Sequence, residues 1–247
     1  MNTNFITRLT LDEKPAEGSY LNELPLIRWL SAGNALDFNR PVTFLVGENC
    51  SGKSTLLEAI AVASGFNPEG GSRNFQFSTA DSHSELHDHI TLSRTVRPRD
   101  GFFLRAESFY NAASYLDTVE VSNPNGHFAS YGGKSLMEQS HGESFLALMK
   151  YRFFGKGLYL LDEPEAALSP QRQLSMLCIL DELVKKDSQF IIATHSPILM
   201  AYPNAEILEF SEDGVESREY KETDHYKLTK RFLDDPERML KLLLEEE

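Results

Sequence analysis

Cysteine is nearly missing from this 247-residue sequence, which holds only Cys50 and Cys178. Two thiols cannot build a disulfide framework, so the chain is no small stapled scaffold and suits a reducing compartment. Basic residues are also short: 24 Lys and Arg stand against 37 Asp and Glu, a net charge of -13. That balance does not support a free-standing binder of nucleic acid or anionic lipid, because phosphate contacts need a Lys/Arg surface. A local basic face stays open. No apolar run approaches the roughly 18 residues needed to cross a bilayer. The start MNTNFITRLT has neither a basic n-region nor an apolar h-region, so a cytoplasmic protein without membrane insertion is expected. Internal repeats, low-complexity tracts and sustained heptads are missing too, which excludes a solenoid or a long coiled coil.

What is present reads as globular. Charged residues at 25%, with 16 Phe and 9 Tyr, give a chain able to bury a proper core. Residues 41–46 (PVTFLV) form a short β-branched apolar run ending at Gly47, the pattern of a buried strand, and Ser54 to Ser64 has helix-forming composition stopping at Gly65. Gly157 to Leu161 and Gln189 to Thr194 predict two further buried strands, with a helix over Gln171 to Lys186 between them. Strands alternating with helices predict a mainly parallel sheet covered on both faces. Residues 207–220 predict a hairpin turning at Asp213-Gly214. The tail from Tyr226 to Glu247 should be helical, broken before Pro236, with Leu240, Leu243 and Leu244 on one face.

Between the first strand and its helix, Gly47-Glu48-Asn49-Cys50-Ser51-Gly52-Lys53-Ser54 satisfies G-x-x-x-x-G-K-[ST]. Glycines let the backbone curl so that successive N–H groups face inward, and the helix N-terminus adds positive potential for anionic oxygens. Lys53 would meet the β- and γ-phosphates, and Ser54 would coordinate Mg²⁺ through its hydroxyl. A second feature lies at Leu160-Leu161-Asp162-Glu163-Pro164, where two adjacent acids end an apolar strand with nothing local to offset burying charge. In a P-loop protein the first acid supports Mg²⁺ and the second can polarise the attacking water, so Asp162 is the candidate metal ligand and Glu163 the candidate general base.

Four segments in order now carry a resemblance: GENCSGKST (47–55), SHGES (140–144), LYLLDEPEAALSP (158–170) and THS (194–196). The sequence resembles the ABC-type ATPases. The resemblance implies an α/β P-loop NTPase fold of ABC type, with a mainly parallel sheet flanked by helices, an antiparallel β part and an inserted helical lobe. It implies a single domain over 1–247, its nucleotide-binding core in 1–105 and 155–222, a helical signature lobe over about 106–154 and a helical tail over 223–247. In that family two cores dimerise head to tail, each ATP lying between the loop of one subunit and the signature of the other. Ser140 and Gly142 match the signature's serine and second glycine, and Glu143 its glutamine or glutamate; with Gly47, Glu48, Asn49, Cys50, Ser51, Gly52, Lys53, Ser54 and Thr55 they are the implied ATP contacts. His195 matches the switch histidine near the γ-phosphate, and Glu165 to Ser169 the loop that crosses the dimer interface. Read from the residues alone, Ser140 to Glu143 is a small-residue turn capping a helix, and His195 is a strand-end histidine of the kind that is more often structural.

The signature departs from the family at His141, where glycine is usual, which weakens a transporter reading more than an ATPase reading. It is more similar to the soluble ABC-like ATPases grouped with DNA-repair and structural-maintenance proteins, or to small bacterial ATPases. The stretch between Lys53 and Ser140 is too short for long coiled-coil arms. By order along the chain Glu107 takes the place of the family's Q-loop glutamine beside the metal, with Gln76 second and a solvated turn acid as the plain alternative for Glu107. The expected function is therefore Mg²⁺-dependent ATP hydrolysis by a domain that homodimerises on ATP and drives or switches an unidentified protein partner. The alternatives are the ATP-binding subunit of a membrane transporter and a nucleotide-sensing component of a repair or defence complex.

Three features stand apart. Cys50 sits where glycine is usual in the loop and is a candidate for oxidation or alkylation that blocks ATP, inert tolerance being the plainer reading. His83, His87 and His89 with Asp88 invite a metal reading, but a solvated polar loop before a strand starting at Ile90 fits better. Phe232, Leu233, Leu240 and Leu244 are expected to pack on the core, with docking of a partner as the alternative.

Overall fold

A computed structural model describes residues 4–72, 84–106, 109 and 139–244. Much of the helical lobe expected over 106–154 lies outside these residues, as do Gln76, His83 and Glu107.

The antiparallel part is a three-stranded sheet in which β1 (Ile6–Leu11) lies between β2 (Ala35–Asp37) and β4 (Ile90–Arg94). The start of its central strand is tied to the larger sheet by a buried amide: Gln189 Oε1 accepts from the backbone N–H of Phe5 and Ile6 at 2.8 and 2.9 Å, and its Nε2 donates to Ile6 O at 2.8 Å. The larger sheet contains β3 (Val42–Gly47), β5 (Asp100–Arg105), β6 (Gly157–Asp162), β7 (Gln189–Ala193), β8 (Glu206–Ser211) and β9 (Gly214–Ser217), in the order β5-β6-β7-β3-β8-β9. All pairs are parallel except β8 with β9. The expected mainly parallel sheet with an antiparallel part is thus present.

Side-chain alternation sorts the central strands between two cores. Leu45, Leu158, Leu160, Ile191 and Ala193 face one side, where they meet α1 (Pro25–Ser31), α2 (Lys53–Ala63) and the small sheet. Val42, Phe44, Val46, Tyr159, Leu161, Phe190 and Ile192 face the other, against α3 (His141–Arg152), α4 (Pro170–Val184) and the short α5 (Pro197–Met200). Every residue of β3, β6 and β7 is buried, so their tips present loops at one edge of a rigid layer, where α/β proteins place their ligands.

Two expectations are corrected, though the hairpin does turn within residues 211–214: Gly214 pairs with Ser211 at φ +126°, and a Cβ there would lie 2.1 Å from the Trp29 ring, so backbone conformation and close packing both favour glycine. The strand after it ends at Ser217, not Tyr220. The tail does form two helices, α6 (Asp224–Asp234) and α7 (Pro236–Leu244), but neither buries a residue: Leu233 is 70% and Leu244 74% exposed, with Phe232 and Leu240 exposed as well. The helical period defines an apolar face without placing a core beneath it.

Candidate nucleotide site

The loop after β3 owes its shape to two glycines and one strained residue. Gly47 has φ +137°, and a Cβ there would sit 2.3 Å from Phe210 O of β8. Cys50 adopts φ +64° and Gly52 φ +96°, so the chain doubles back before α2 starts at Lys53. A left-handed conformation costs a non-glycine residue roughly 1–2 kcal/mol, which gives a backbone reason why glycine suits position 50. Gly47→Ala should lower unfolding free energy by about 2 kcal/mol, combining the clash with the unfavourable φ. A urea midpoint unchanged from that of the parent protein would refute the close approach.

Lys53 is buried, and its ammonium donates to Gly47 O at 2.8 Å, Glu48 O at 2.7 Å and Ser51 Oγ at 3.3 Å. Burial pushes its pKa down, while Glu163, Asp162 and Glu48 favour the charged form. Ser54, one residue on, donates its hydroxyl to Asp162 Oδ1 at 2.9 Å and so joins the loop to the tip of β6.

Asp162 is buried, and its charge is offset locally after all. The register of β5 on β6 puts Arg105 beside Asp162. Arg105 Nε lies 3.5 Å from Asp162 Oδ2, and its guanidinium is 2.7 Å from Glu58 Oε2; Glu58 Oε1 in turn accepts from Ser84 N at 2.8 Å. Arg105→Met would leave two largely buried carboxylates without their cation. With the guanidinium one-fifth exposed, the expected loss is about 2 kcal/mol, below the figure for a fully buried pair. A loss under about 0.5 kcal/mol in denaturant melts would mean solvent serves these acids.

Glu163 follows in the left-handed region (φ 49°, ψ 52°), its N–H donating to Ala193 O at 3.0 Å. That kink swings its side chain out of the sheet, where it is 41% exposed and Oε1 lies 3.6 Å from His195 Nε2. The histidine is set by its neighbours. Its N–H donates to Glu165 Oε1 at 2.5 Å, Thr194 Oγ1 donates to Glu165 Oε2 at 2.8 Å, and its Nδ1 is 3.0 Å from His225 Nε2 on α6. Burial raises the Glu165 pKa and lowers that of His195, with Lys53 further disfavouring charge on the histidine.

Ser140 caps α3, with its N–H and Oγ donating to Glu143 Oε2 at 3.1 and 2.6 Å. Glu143 Oε1 meets Arg172 at 3.1 Å, and a Cβ on Gly142 would lie 2.9 Å from Ala167 O. The signature helix is thus fastened to the segment that follows Glu163. His141 stacks edge-on against Phe109 at 5.5 Å and lines a cavity of about 230 Å³ with Ser54, Asp162 and Glu163.

Two family models match the chain, one described as an AAA domain over residues 27–121 and one as an AAA ATPase domain over 143–200. Among solved structures, the ADP conformation of an ATP-binding cassette of an ABC transporter superposes with TM-score 0.50 at 18% identity, covering 98% of this chain and 100% of that one. The chain carries the ABC-type P-loop ATPase fold. The SMC head domain from Thermotoga maritima gives a TM-score of 0.46 at 16% identity over 87% of this chain and 100% of that one. A part of an ABC transporter complex from Clostridium perfringens gives 0.49 at 18% over 97% and 99%. No curated protein matches the sequence.

Within this ABC-type domain the expected residues of the loop, Asp162, Glu163 and His195 converge on one edge of the sheet. Glu107 lies outside the described residues, as does Gln76. Glu165, expected in an interface loop, turns its carboxylate inward onto the backbone of His195. Glu58, Arg105, Gln173 and His225 were missed. Gln173 Oε1 accepts from the Ser196 hydroxyl at 2.5 Å, bracing the turn after His195. Among the described residues no group of three His, Cys, Asp or Glu side chains is arranged to hold a metal alone, and His87 instead contacts Ser84 O and Asp88. Leu86, in the same turn, is buried in the core. None of the described helices is long and apolar enough to cross a membrane.

Proposed function

We propose that this domain binds and hydrolyses Mg²⁺-ATP, closes as a homodimer around the nucleotide and thereby switches a protein partner, outside membrane transport. The observation that carries the reading is the Ser54 to Asp162 hydrogen bond at 2.9 Å, which sets loop and strand tip around one point, with Glu163 next in sequence. Two hard oxygen donors at the mouth of a phosphate loop suit Mg²⁺, and Ser54 and Asp162 would hold it. The bound ion would neutralise charge on the phosphates.

In this reading the inward amides of residues 47–55 receive the phosphates, and Lys53 exchanges its contacts with Gly47 and Glu48 for phosphate oxygens. Glu163, whose left-handed backbone projects its side chain from the tip of β6, orients and deprotonates the attacking water. His195, 3.6 Å from Glu163, would face the terminal phosphate and report which nucleotide is bound. Ser140, Gly142 and Glu143 present the α3 N-terminus to the nucleotide of the opposing subunit. We assign the nucleotide-binding core to 1–105 and 155–222, the signature lobe to about 106–154 and the tail to 223–247. The cytoplasm is the proposed compartment.

A transporter subunit is the second reading, favoured by the similarity to an ATP-binding cassette of an ABC transporter and opposed by Ser-His-Gly-Glu in the signature. Phosphate release measured with Mg²⁺, with excess chelator, and with and without DNA tests the assignment. Chelator should abolish release; undiminished hydrolysis without divalent metal would overturn the Mg²⁺ assignment. Copurification with a polytopic membrane protein would favour the transporter reading.

A further inference from the structure

We propose that His225, at the start of α6, is a positioning residue that holds His195 in the tautomer carrying its proton on Nε2. The contacts assign the tautomer; that the proton serves ATP hydrolysis rests on the function proposed above.

His195 Nδ1 and His225 Nε2 are 3.0 Å apart, which leaves room for one hydrogen between two ring nitrogens. One nitrogen must therefore be an unprotonated acceptor. Burial lowers the pKa of both rings; Lys53 adds to this for both and His195 for His225, while Glu163 and Glu48 oppose it at His195 and Glu48 and Glu209 at His225. Two neutral arrangements are left.

If the shared hydrogen belongs to His195 Nδ1, the lone pair on His195 Nε2 faces the Glu163 carboxylate 3.6 Å away, acceptor against acceptor. His225 would then carry its own proton on Nδ1, a buried nitrogen with no hydrogen-bond partner. If the hydrogen instead belongs to His225 Nε2, the repulsion becomes attraction: His195 Nε2, itself buried and without a hydrogen-bond partner, then turns an N–H toward a carboxylate 3.6 Å away, and His225 Nδ1 is a bare acceptor. Each form leaves one such buried N–H, so the contact with Glu163 decides between them. Only this second form offers a donor to a carboxylate or a terminal phosphate.

The ring of His225 is placed independently of His195. Asp224 N donates to Glu209 Oε1 of β8 at 3.0 Å, and the hydroxyl of Thr223 caps α6 by accepting from Tyr226 N at 3.3 Å. The tail helix thus touches the candidate site through the ring-to-ring hydrogen bond of His225 with His195.

Long-range ¹H–¹⁵N spectra of histidine-labelled, nucleotide-free protein separate the two tautomers, with His195→Gln supplying the assignment. Wild-type protein should show His195 as the Nε2–H form, and His225→Leu should show a mixture. In hydrolysis assays His225→Leu should lower kcat between about 10- and 100-fold, as when an orienting partner of a functional histidine is removed, with KM for ATP changed less than about threefold. His225→Gln, whose amide can donate to Nδ1, should recover most of kcat and the wild-type tautomer. An Nδ1–H tautomer in wild-type protein, or a His195 spectrum untouched by His225→Leu, would overturn the proposal. Should His225→Leu not fold, the wild-type spectrum and His225→Gln decide. A wild-type protein that hydrolyses no ATP would sink the ATPase reading and still leave the tautomer legible.

Discussion

Lys53→Ala should lose ATP binding by roughly a thousandfold, or about 4 kcal/mol, since hydrogen bonds to charged groups contribute about 1.5–3 kcal/mol each and this ammonium would make two to phosphate. The magnitude follows from where the side chain sits. Its ammonium is inside the loop and within 2.8 Å of Gly47 O, screened from bulk water, where Coulomb interactions are least damped. Removing the side chain also takes three donors from the loop, so Lys53→Met is the necessary companion, keeping the aliphatic stem while deleting the charge. Titration calorimetry should give equal losses for both variants if charge is the cause. Wild-type affinity in either would contradict the assignment of residues 47–55 as the phosphate site.

Glu163→Gln should bind ATP as tightly as the parent chain and hydrolyse it about 10²–10⁴ times more slowly, the range ascribed to a positioned general base. Glutamine keeps the shape and the capacity to accept from His195, whose Nε2 is 3.6 Å away, but cannot take a proton. With hydrolysis stopped, the closed state should accumulate, so sizing chromatography with Mg²⁺-ATP should move the 27.9 kDa chain to twice its mass. Unslowed phosphate release would remove Glu163 from the chemistry. A monomer in the presence of ATP would remove the two-subunit site while leaving nucleotide binding intact.

The parts of the site that could be read from the sequence are those whose chemistry needs consecutive residues. The proposed anion cradle requires neighbouring amides, and residues 47–54 are consecutive; the proposed metal-supporting and water-activating acids, Asp162 and Glu163, are adjacent. The parallel strands were legible for the same reason, since burial on both faces leaves unbroken apolar runs. What escaped were partnerships across long separations. Arg105 with Glu58 and Asp162, His195 with His225, and Gln189 with β1 are joined by strand register and helix placement. No spacing rule links them. The leucines of α6 and α7 failed in another way, because a helical period identifies a face and says nothing of what lies opposite.

The contact between Gly47 and Phe210 O has a mechanical side. At 2.3 Å from a hypothetical Cβ, the two backbones are already at van der Waals limit, so the loop's first residue cannot recede toward β8 and the central sheet acts there as an anvil. If the loop binds nucleotide as proposed, any displacement would be taken up on the opposite flank, where the polar tie between α3 and α4 is the half-exposed Arg172–Glu143 pair, a link worth little against solvent. Give and stiffness would then fall on different sides of the same loop.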